Sequence, residues 1–311
     1  DRLLIQADMV FANLPPKTAA YLGLEYDRLK AIKPDIIFVL ITTFGSQGPY
    51  ADRLGFDAIA QVMSGLTAIS GEPDKPMKHN SAWVDMSTGF LAAFGAMAAL
   101  HHRDRTGEGQ QVETNLLQTA MTVGNYFLMD QHFNRANRQG TGNRAQSGGP
   151  ADLIRTADGW VYMVALGDPM FRRFMRMIGR EDLLADPRFA TDELRAENGA
   201  ALSAVVTEWA GQYTNAEILP ILEAHRIPAG PLLTPQQALD DPHVREQFLQ
   251  EVELEGLSRP VPYVKPPVTF SATPAAIRKG PPRVGEDSDA VLSEAGFSAE
   301  EIAALRRDGV I

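Results

Sequence analysis

Six consecutive apolar residues, Ile36-Ile37-Phe38-Val39-Leu40-Ile41, constrain the fold more than any other stretch. A strand with one wet face alternates apolar and polar residues. An unbroken, largely β-branched run belongs instead to a strand buried on both faces, as in a parallel sheet covered by helices. The residues before it fit that role. Ala7 to Leu14 carries Met9-Val10-Phe11-Ala12 and stops at Pro15-Pro16, which reads as a strand and its end. Thr18 to Ile32 has helical spacing at Tyr21, Leu22, Leu29 and Ile32 and ends before Pro34. Strand, helix, strand is a βαβ unit, so an α/β domain with a Rossmann-like parallel sheet is expected. A doubly wound domain ordinarily has strands before such a unit, so a segment upstream of Asp1 is expected as well.

Thr42 to Tyr50 lies just past the second strand, at the carboxyl end where open α/β sheets bind their ligands. Gly55 to Leu66 places Phe56, Ile59, Ala60 and Met63 at helical spacing. A surface loop, Gly71 to Asn80, leads to Trp83-Val84-Asp85-Met86-Ser87-Thr88-Gly89 and the apolar run Phe90 to Leu100, a buried helix with Asp85 as its N-cap. Gln111-Val112-Glu113 is a short strand, and Leu116 to Met129 is expected as one helix. Gly107 and Gly109 make no dinucleotide loop, because they follow a helix and lack a third glycine. Beyond the polar stretch Asn134 to Pro150, two apolar runs flank Ala157-Asp158-Gly159, a hairpin signal. Helical patterns then cover residues 169–178, 200–213 and 215–225, and Pro260 to Phe270 reads as extended and proline-rich. The expected organisation is a large α/β domain of residues 1–148 and 234–311 with a small α+β middle domain of residues 149–233. Ser298 and Glu301 stand at capping-box spacing before a last helix to Arg307.

Asp85 carries two readings. Locally, its carboxylate caps the helix, accepting from free backbone N–H groups while the dipole keeps it ionised. Chemically, the same ionised carboxylate is a nucleophile in a site with little water. Residue types leave both open. Other chemistries are excluded more firmly. The chain has no cysteine, which removes thiolate nucleophiles, disulfides and zinc–thiolate sites. Gly-x-Ser-x-Gly, Walker A and His-Glu-x-x-His patterns are all missing. His101-His102, at the polar end of a helix, reads as solvated, and no metal is expected. Asp57 and Glu113 are candidate acid/base partners of Asp85, with Asp57 read first as a local cap or packing residue. A net charge of −10 argues against nucleic acid or an anionic membrane surface as partner. Asp1 to Ile5 lacks the apolar region of a secretory signal, and Thr88 to Leu100 is too short to cross a bilayer, so a cytoplasmic protein is expected.

In this order of segments the chain resembles the class III CoA-transferases, the CaiB/BaiF group that includes formyl-CoA transferase. The resemblance runs nearly end to end. It is carried by Ala7 to Asn13, Leu22-Gly23-Leu24, Gly45 to Tyr50, Gly55-Phe56-Asp57 with Gln61, Asp85 to Gly89 and Arg105 to Gln110. It continues through Thr156 to Gly159, Asp186 to Phe189, Ile227 to Pro231, Asp241 to Val244 and Ala303 to Ile311. No one motif is decisive; their number in one order is.

The resemblance implies that Asp85 is the catalytic nucleophile and that CoA passes from an acyl-CoA thioester to a carboxylic acid by way of mixed anhydrides and an enzyme–CoA thioester. Coenzyme A enters as substrate, with no tightly bound cofactor, and Asn13, Leu22, Arg53, Phe56 and Gln61 are the residues it places at the CoA site. Gly148 and Gly149 stand where the family has a glycine-rich lid whose N–H groups steady an oxyanion. It also implies an interlocked homodimer of two chains threaded like linked rings. Related racemases carry His where this chain has Phe56, and phenylalanine moves no proton, so an α-methylacyl-CoA racemase is the second reading. A non-catalytic CoA-ester-binding subunit is the third. Pro15 stands where the family has a basic residue, and Arg53 neighbours the position of a CoA-contacting lysine.

Overall fold

The apolar run becomes the middle strand of a three-stranded parallel sheet. In the computed structural model, which describes residues 1–311, β1 (Met9–Asn13), β2 (Ile37–Thr42) and β3 (Gln111–Asn115) lie in the order β1-β2-β3, with both pairings parallel. Alternate residues of β2 serve two cores, as a strand buried on both faces must. Phe38 and Leu40 pack with Leu4, Ala12, Ala19 and Leu29 on one side. Ile37 and Val39 pack with Ala92, Ala96 and Ala99 on the other.

This sheet belongs to the first of two compact units, residues 1–142 with 294–297. After α1 (Arg2–Gln6), the helix expected over residues 18–32 is two helices, α2 (Pro16–Tyr21) and α3 (Tyr26–Ile32). The break lies at Gly23, whose φ of +72° ends α2. Its N–H donates to Ala20 O (2.9 Å), and Leu24 N–H donates to Ala19 O (2.8 Å). That is the Schellman pattern, which glycine makes without strain. The crossover from β2 to β3 runs through α4 (Asp57–Met63) and α5 (Trp83–Thr106). The helix expected from Leu116 to Met129 is likewise two, α6 (Leu116–Val123) and α7 (Asn125–Asn134). They part at Gly124, where an added Cβ would lie 2.3 Å from Leu66 Cδ2.

Helix α5 has 24 residues, and its buried positions are Val84, Thr88, Ala92, Ala96 and Ala99. This is a narrow stripe of small side chains at helical spacing, which lets the helix axis approach the sheet closely. Gly95 marks the same approach, since a Cβ there would meet Val112 Cγ1 at 2.7 Å. By length and composition alone α5 could cross a membrane. The shorter span read from sequence covered only its middle. Here it packs on β2 and β3.

The second unit comprises residues 143–293 and 298–311. The hairpin at Ala157-Asp158-Gly159 joins β4 (Ala151–Arg155) to β5 (Trp160–Val164), and β6 (Ala229–Pro231) pairs antiparallel with β5. Four helices, α8 (Asp168–Met177), α9 (Asp192–Glu197), α10 (Gly199–Ala210) and α11 (Asn215–Ala224), precede β6. Phe171, Phe174, Leu202, Val206, Ile218 and Leu222 fill its core with Ile154, Val161 and Met163. Helices α12 (Pro235–Asp240) and α13 (Pro242–Phe248) follow β6. Part of the stretch expected to be merely extended forms a ribbon, β7 (Leu249–Val252) against β8 (Val261–Val264). After α14 (Ser288–Glu294), α15 (Ala299–Arg307) begins on the expected capping box of Ser298 and Glu301. Within one chain, residues 234–293 thus group with the middle domain.

Candidate active site

A cleft of about 260 Å³ opens in the first unit at the carboxyl ends of β1 and β2. Asn13, Ile41 and Thr42 form its sheet side, Phe44, Arg53, Leu54 and Gly55 its loop side, and Phe56, Asp85 and Leu116 stand at the heads of α4, α5 and α6. Helices that follow parallel strands point their N-termini at this edge, which is why the chemistry gathers here.

The loop wall is fixed from both ends. Thr42 Oγ1 accepts from Gly45 N–H (2.8 Å), and Ser46 donates through its N–H and its Oγ to the Glu113 carboxylate on β3. Thr43 Oγ1 donates to Gly55 O at 2.9 Å. Gly55 must be glycine, because a Cβ would lie 2.5 Å from Thr43 Cγ2. Phe44 packs edge-on against Tyr50, and the Arg53 guanidinium lies over the Tyr50 ring, 4.0 Å from its centroid. Arg53 and Asp85 are the charged residues of the cleft wall.

Asp85 is not the N-cap of its helix. Helix α5 starts at Trp83 after Ala82, so Asp85 sits within the first turn. Two of the free amides at the helix head are taken by another carboxylate. Asp57 Oδ2 accepts from Val84 N–H (2.8 Å) and from Asp85 N–H (3.0 Å). Asp57 Oδ1 accepts from Gln61 Nε2. Gln61 Oε1 accepts from His79 N–H (2.9 Å), and Gln61 Nε2 also donates to Ser81 O (3.3 Å). A chain of hydrogen bonds therefore runs from the loop before α5, through α4, to the head of α5. The Asp85 side chain is left out of it. Residue 85 is exposed within this chain, yet loss of hydration at the cleft, and secondarily the Asp57 charge, raise its carboxyl pKa above the ordinary value. The expected dry environment is thus only begun by this unit.

Asn13, Arg53, Phe56 and Asp85 come together on the cleft wall. Asn13 is held by its Nδ2, which donates to Ile41 O (3.3 Å), and Phe56 is 79% exposed, its ring free at the mouth. Gln61, expected at the CoA site, is 3% exposed and spends its amide on Asp57 and the loop before α5. Leu22 is exposed at the end of α2, outside the cleft wall. Gly148 and Gly149 lie in the second unit, both buried; a Cβ on Gly148 would meet Leu166 Cδ2 at 2.8 Å, and one on Gly149 would meet Leu202 Cδ1 at 3.5 Å. The sequence reading missed what Asp57 caps. Its carboxylate does cap, but the helix it caps begins 26 residues further on, a tertiary contact with no local signal.

Comparison with known proteins agrees with this geometry. Residues 1–288 match the family described as CoA-transferase family III. The chain is 30% identical to a succinyl-CoA–D-citramalate CoA-transferase of Chloroflexus aurantiacus, over 100% of its own length and 78% of that protein. It is 33% identical to a succinate–glutarate CoA-transferase of Agrobacterium fabrum, over 94% and 74%. A crystal structure of a CaiB/BaiF family protein from Brucella suis superposes with a TM-score of 0.80 at 31% identity, covering 94% of this chain and 77% of that one.

Proposed function

The chain belongs to CoA-transferase family III, and on that premise we propose that it transfers CoA between two carboxylic acids with Asp85 as the covalent nucleophile. The observation that carries the reading is the placement of Asp85: its helix is capped by Asp57, and its own carboxylate lines a cleft with an exposed cation, Arg53, on the same wall. Loss of hydration and the nearby Asp57 charge, which raise its pKa, leave the ionised carboxylate a stronger nucleophile than an ordinary one.

The Asp85 carboxylate attacks the thioester carbonyl; the C–S bond breaks and CoA leaves as thiolate, giving a mixed anhydride on the enzyme. The thiolate attacks the aspartyl carbonyl and expels the donor acid as carboxylate, leaving an Asp85–CoA thioester. The acceptor carboxylate attacks that thioester, forming a second anhydride and freeing the thiolate. Thiolate attack on the acceptor acyl carbon then gives the new CoA ester and restores Asp85. No proton is gained or lost, which suits a site whose cleft wall offers no histidine, lysine or second carboxylate. Anhydride and thioester both hydrolyse, so the exposed Asp85 requires a cover.

That cover is a second copy of this chain. On α5, which carries the nucleophile, Met86, Phe90, Leu91, Phe94 and Met97 are exposed, a run of bulky apolar side chains that the single chain leaves wet. The acids are assigned to the dicarboxylate class, from the succinyl and glutaryl substrates in the names of two relatives. Arg53 is assigned to an anionic group of the CoA ester. The test is mass spectrometry of the protein incubated with succinyl-CoA, glutaryl-CoA and acetyl-CoA. A CoA adduct on Asp85 that glutarate or succinate discharges is expected. An adduct retained in Asp85→Ala refutes the nucleophile. Deuterium uptake at the α-carbon without any acceptor acid would favour racemisation.

A further inference from the structure

A helix head leaves N–H groups that need acceptors. Asp85, in the first turn of α5, is the nearest side chain able to supply one, and an aspartate there is drawn to its own helix end. A carboxylate tied to those amides would be charge-stabilised and held in a rotamer that folds it back, both of which oppose attack on a thioester. The structure removes the conflict by bringing in another carboxylate from α4. We propose that Asp57 is the positioning residue of the nucleophile: it occupies the Val84 and Asp85 amides at the head of α5 and so leaves the Asp85 carboxylate turned to the cleft.

Asp57 is 8% exposed, and all its partners are neutral N–H donors, two from the α5 backbone and one from Gln61. Gln61 cannot turn its amide over, because its Oε1 is held by His79 N–H. Its Nε2 therefore faces Asp57, and the carboxylate is pinned on both oxygens. Because no cation joins these contacts, the Asp57 charge acts on Asp85 undiminished by an ion pair. Asp57 touches no substrate; it acts through Asp85.

This rests on Asp85 as nucleophile, and the experiment separates the two claims. Asp57→Asn keeps the volume but offers an NH2 group either to Gln61 Nε2 or to the α5 amides, so one donor loses its acceptor. With succinyl-CoA, or whichever donor of the panel labels the wild type, adduct formation per folded site should slow about 10²-fold, as for a small misplacement of a reacting group. KM for the CoA ester should stay within about threefold of wild type. Asp57→Ser, which keeps a single acceptor, carries the same expectation if the asparagine variant does not fold. Folded variants that label at the wild-type rate overturn the assignment, as does a rise in KM with kcat unchanged. If Asp85→Ala is inert while Asp57→Asn labels normally, only the positioning role falls. If Asp85→Ala still labels, the nucleophile itself falls.

Discussion

Truncating the two phenylalanines of the exposed α5 face to alanine should split the proposed dimer. Phe90 is 65% and Phe94 74% exposed in the single chain. For a phenylalanine of roughly 200 Å² this leaves about 130 and 150 Å² to be covered. At ~25 cal/mol per Å² the pair contributes about 7 kcal/mol per chain when fully buried. A two-fold interface uses the patch twice, so ~14 kcal/mol is an upper bound. Alanine keeps part of the area, and the interface relaxes around the gap. Taking half the bound, about 7 kcal/mol, the double variant Phe90→Ala/Phe94→Ala should bind itself about 10⁵-fold more weakly. The entropic cost of association is common to both proteins and cancels. Sedimentation velocity at ~1 µM then separates a dimeric wild type from a monomeric variant, for a wild-type Kd on the order of 1 nM. Because threaded chains cannot part without opening, both samples are refolded from denaturant before the run. The side chains face solvent in the single chain, so the variant's circular dichroism should match wild type. A wild type that sediments as a monomer, or a double variant that remains fully dimeric, would refute the reasoning.

The raised pKa of Asp85 has a sign that can be checked. A carboxyl whose folded pKa exceeds its unfolded value binds a proton more tightly when folded, so stability is lost as pH rises from about 3.9 through the raised value, and stays lower above it. Asp85→Asn should therefore raise the thermal midpoint at neutral pH, with the difference vanishing in strong acid; a lower midpoint at pH 7 would contradict the sign. The acid limb of kcat/KM should lie above the ordinary carboxylate range and move down in Asp57→Asn. Arg53→Gln should raise KM for the CoA ester about tenfold with kcat little changed, the loss of one charged contact. Steady-state kinetics that show the loss in kcat alone would place Arg53 elsewhere in the reaction. Gly109→Ala sets a Cβ 2.1 Å from Ile36 O, a backbone atom that cannot step aside. It should cost about 2 kcal/mol, read by chemical denaturation.

The parallel sheet was legible because Ile36 to Ile41 admits one reading: a run with no polar residue needs cover on both sides, and Phe38/Leu40 and Ile37/Val39 do face two separate cores. Helix breaks were harder. Gly23 and Gly124 sit inside stretches whose apolar spacing continues across them, so periodicity alone joins what the backbone divides. The Schellman signal at Leu22-Gly23-Leu24 was present in the sequence, whereas the reason for Gly124, a side chain 58 residues earlier, was not. At the site, Thr42 to Tyr50 was placed by the rule for strand ends, and its first three residues, Thr42, Thr43 and Phe44, line the cleft. Asp85 was read from the sequence as the cap of its own helix, and that role falls instead to Asp57. Local reasoning assigns a first-turn aspartate to its own helix, and only the fold reveals that Asp57 has taken that place.

Helix α5 carries the least local part of the message. A helix that is apolar all round must be covered all round, and Phe90 to Leu100 has no polar residue in it. One chain covers only the stripe of Val84, Thr88, Ala92, Ala96 and Ala99, all small or β-branched, while the bulky Met86, Phe90, Phe94 and Met97 face outward. The division by size is physical: small residues let the helix close on a sheet, and large ones repay burial against a surface that must be shaped to receive them. The same helix carries Asp85 in its first turn, so whatever covers the large residues also controls the water that reaches the nucleophile. Under the dimer proposal, the apolar pattern of α5 therefore specifies an assembly, and the exposed Asp85 of the single chain becomes the dry carboxylate that the chemistry requires.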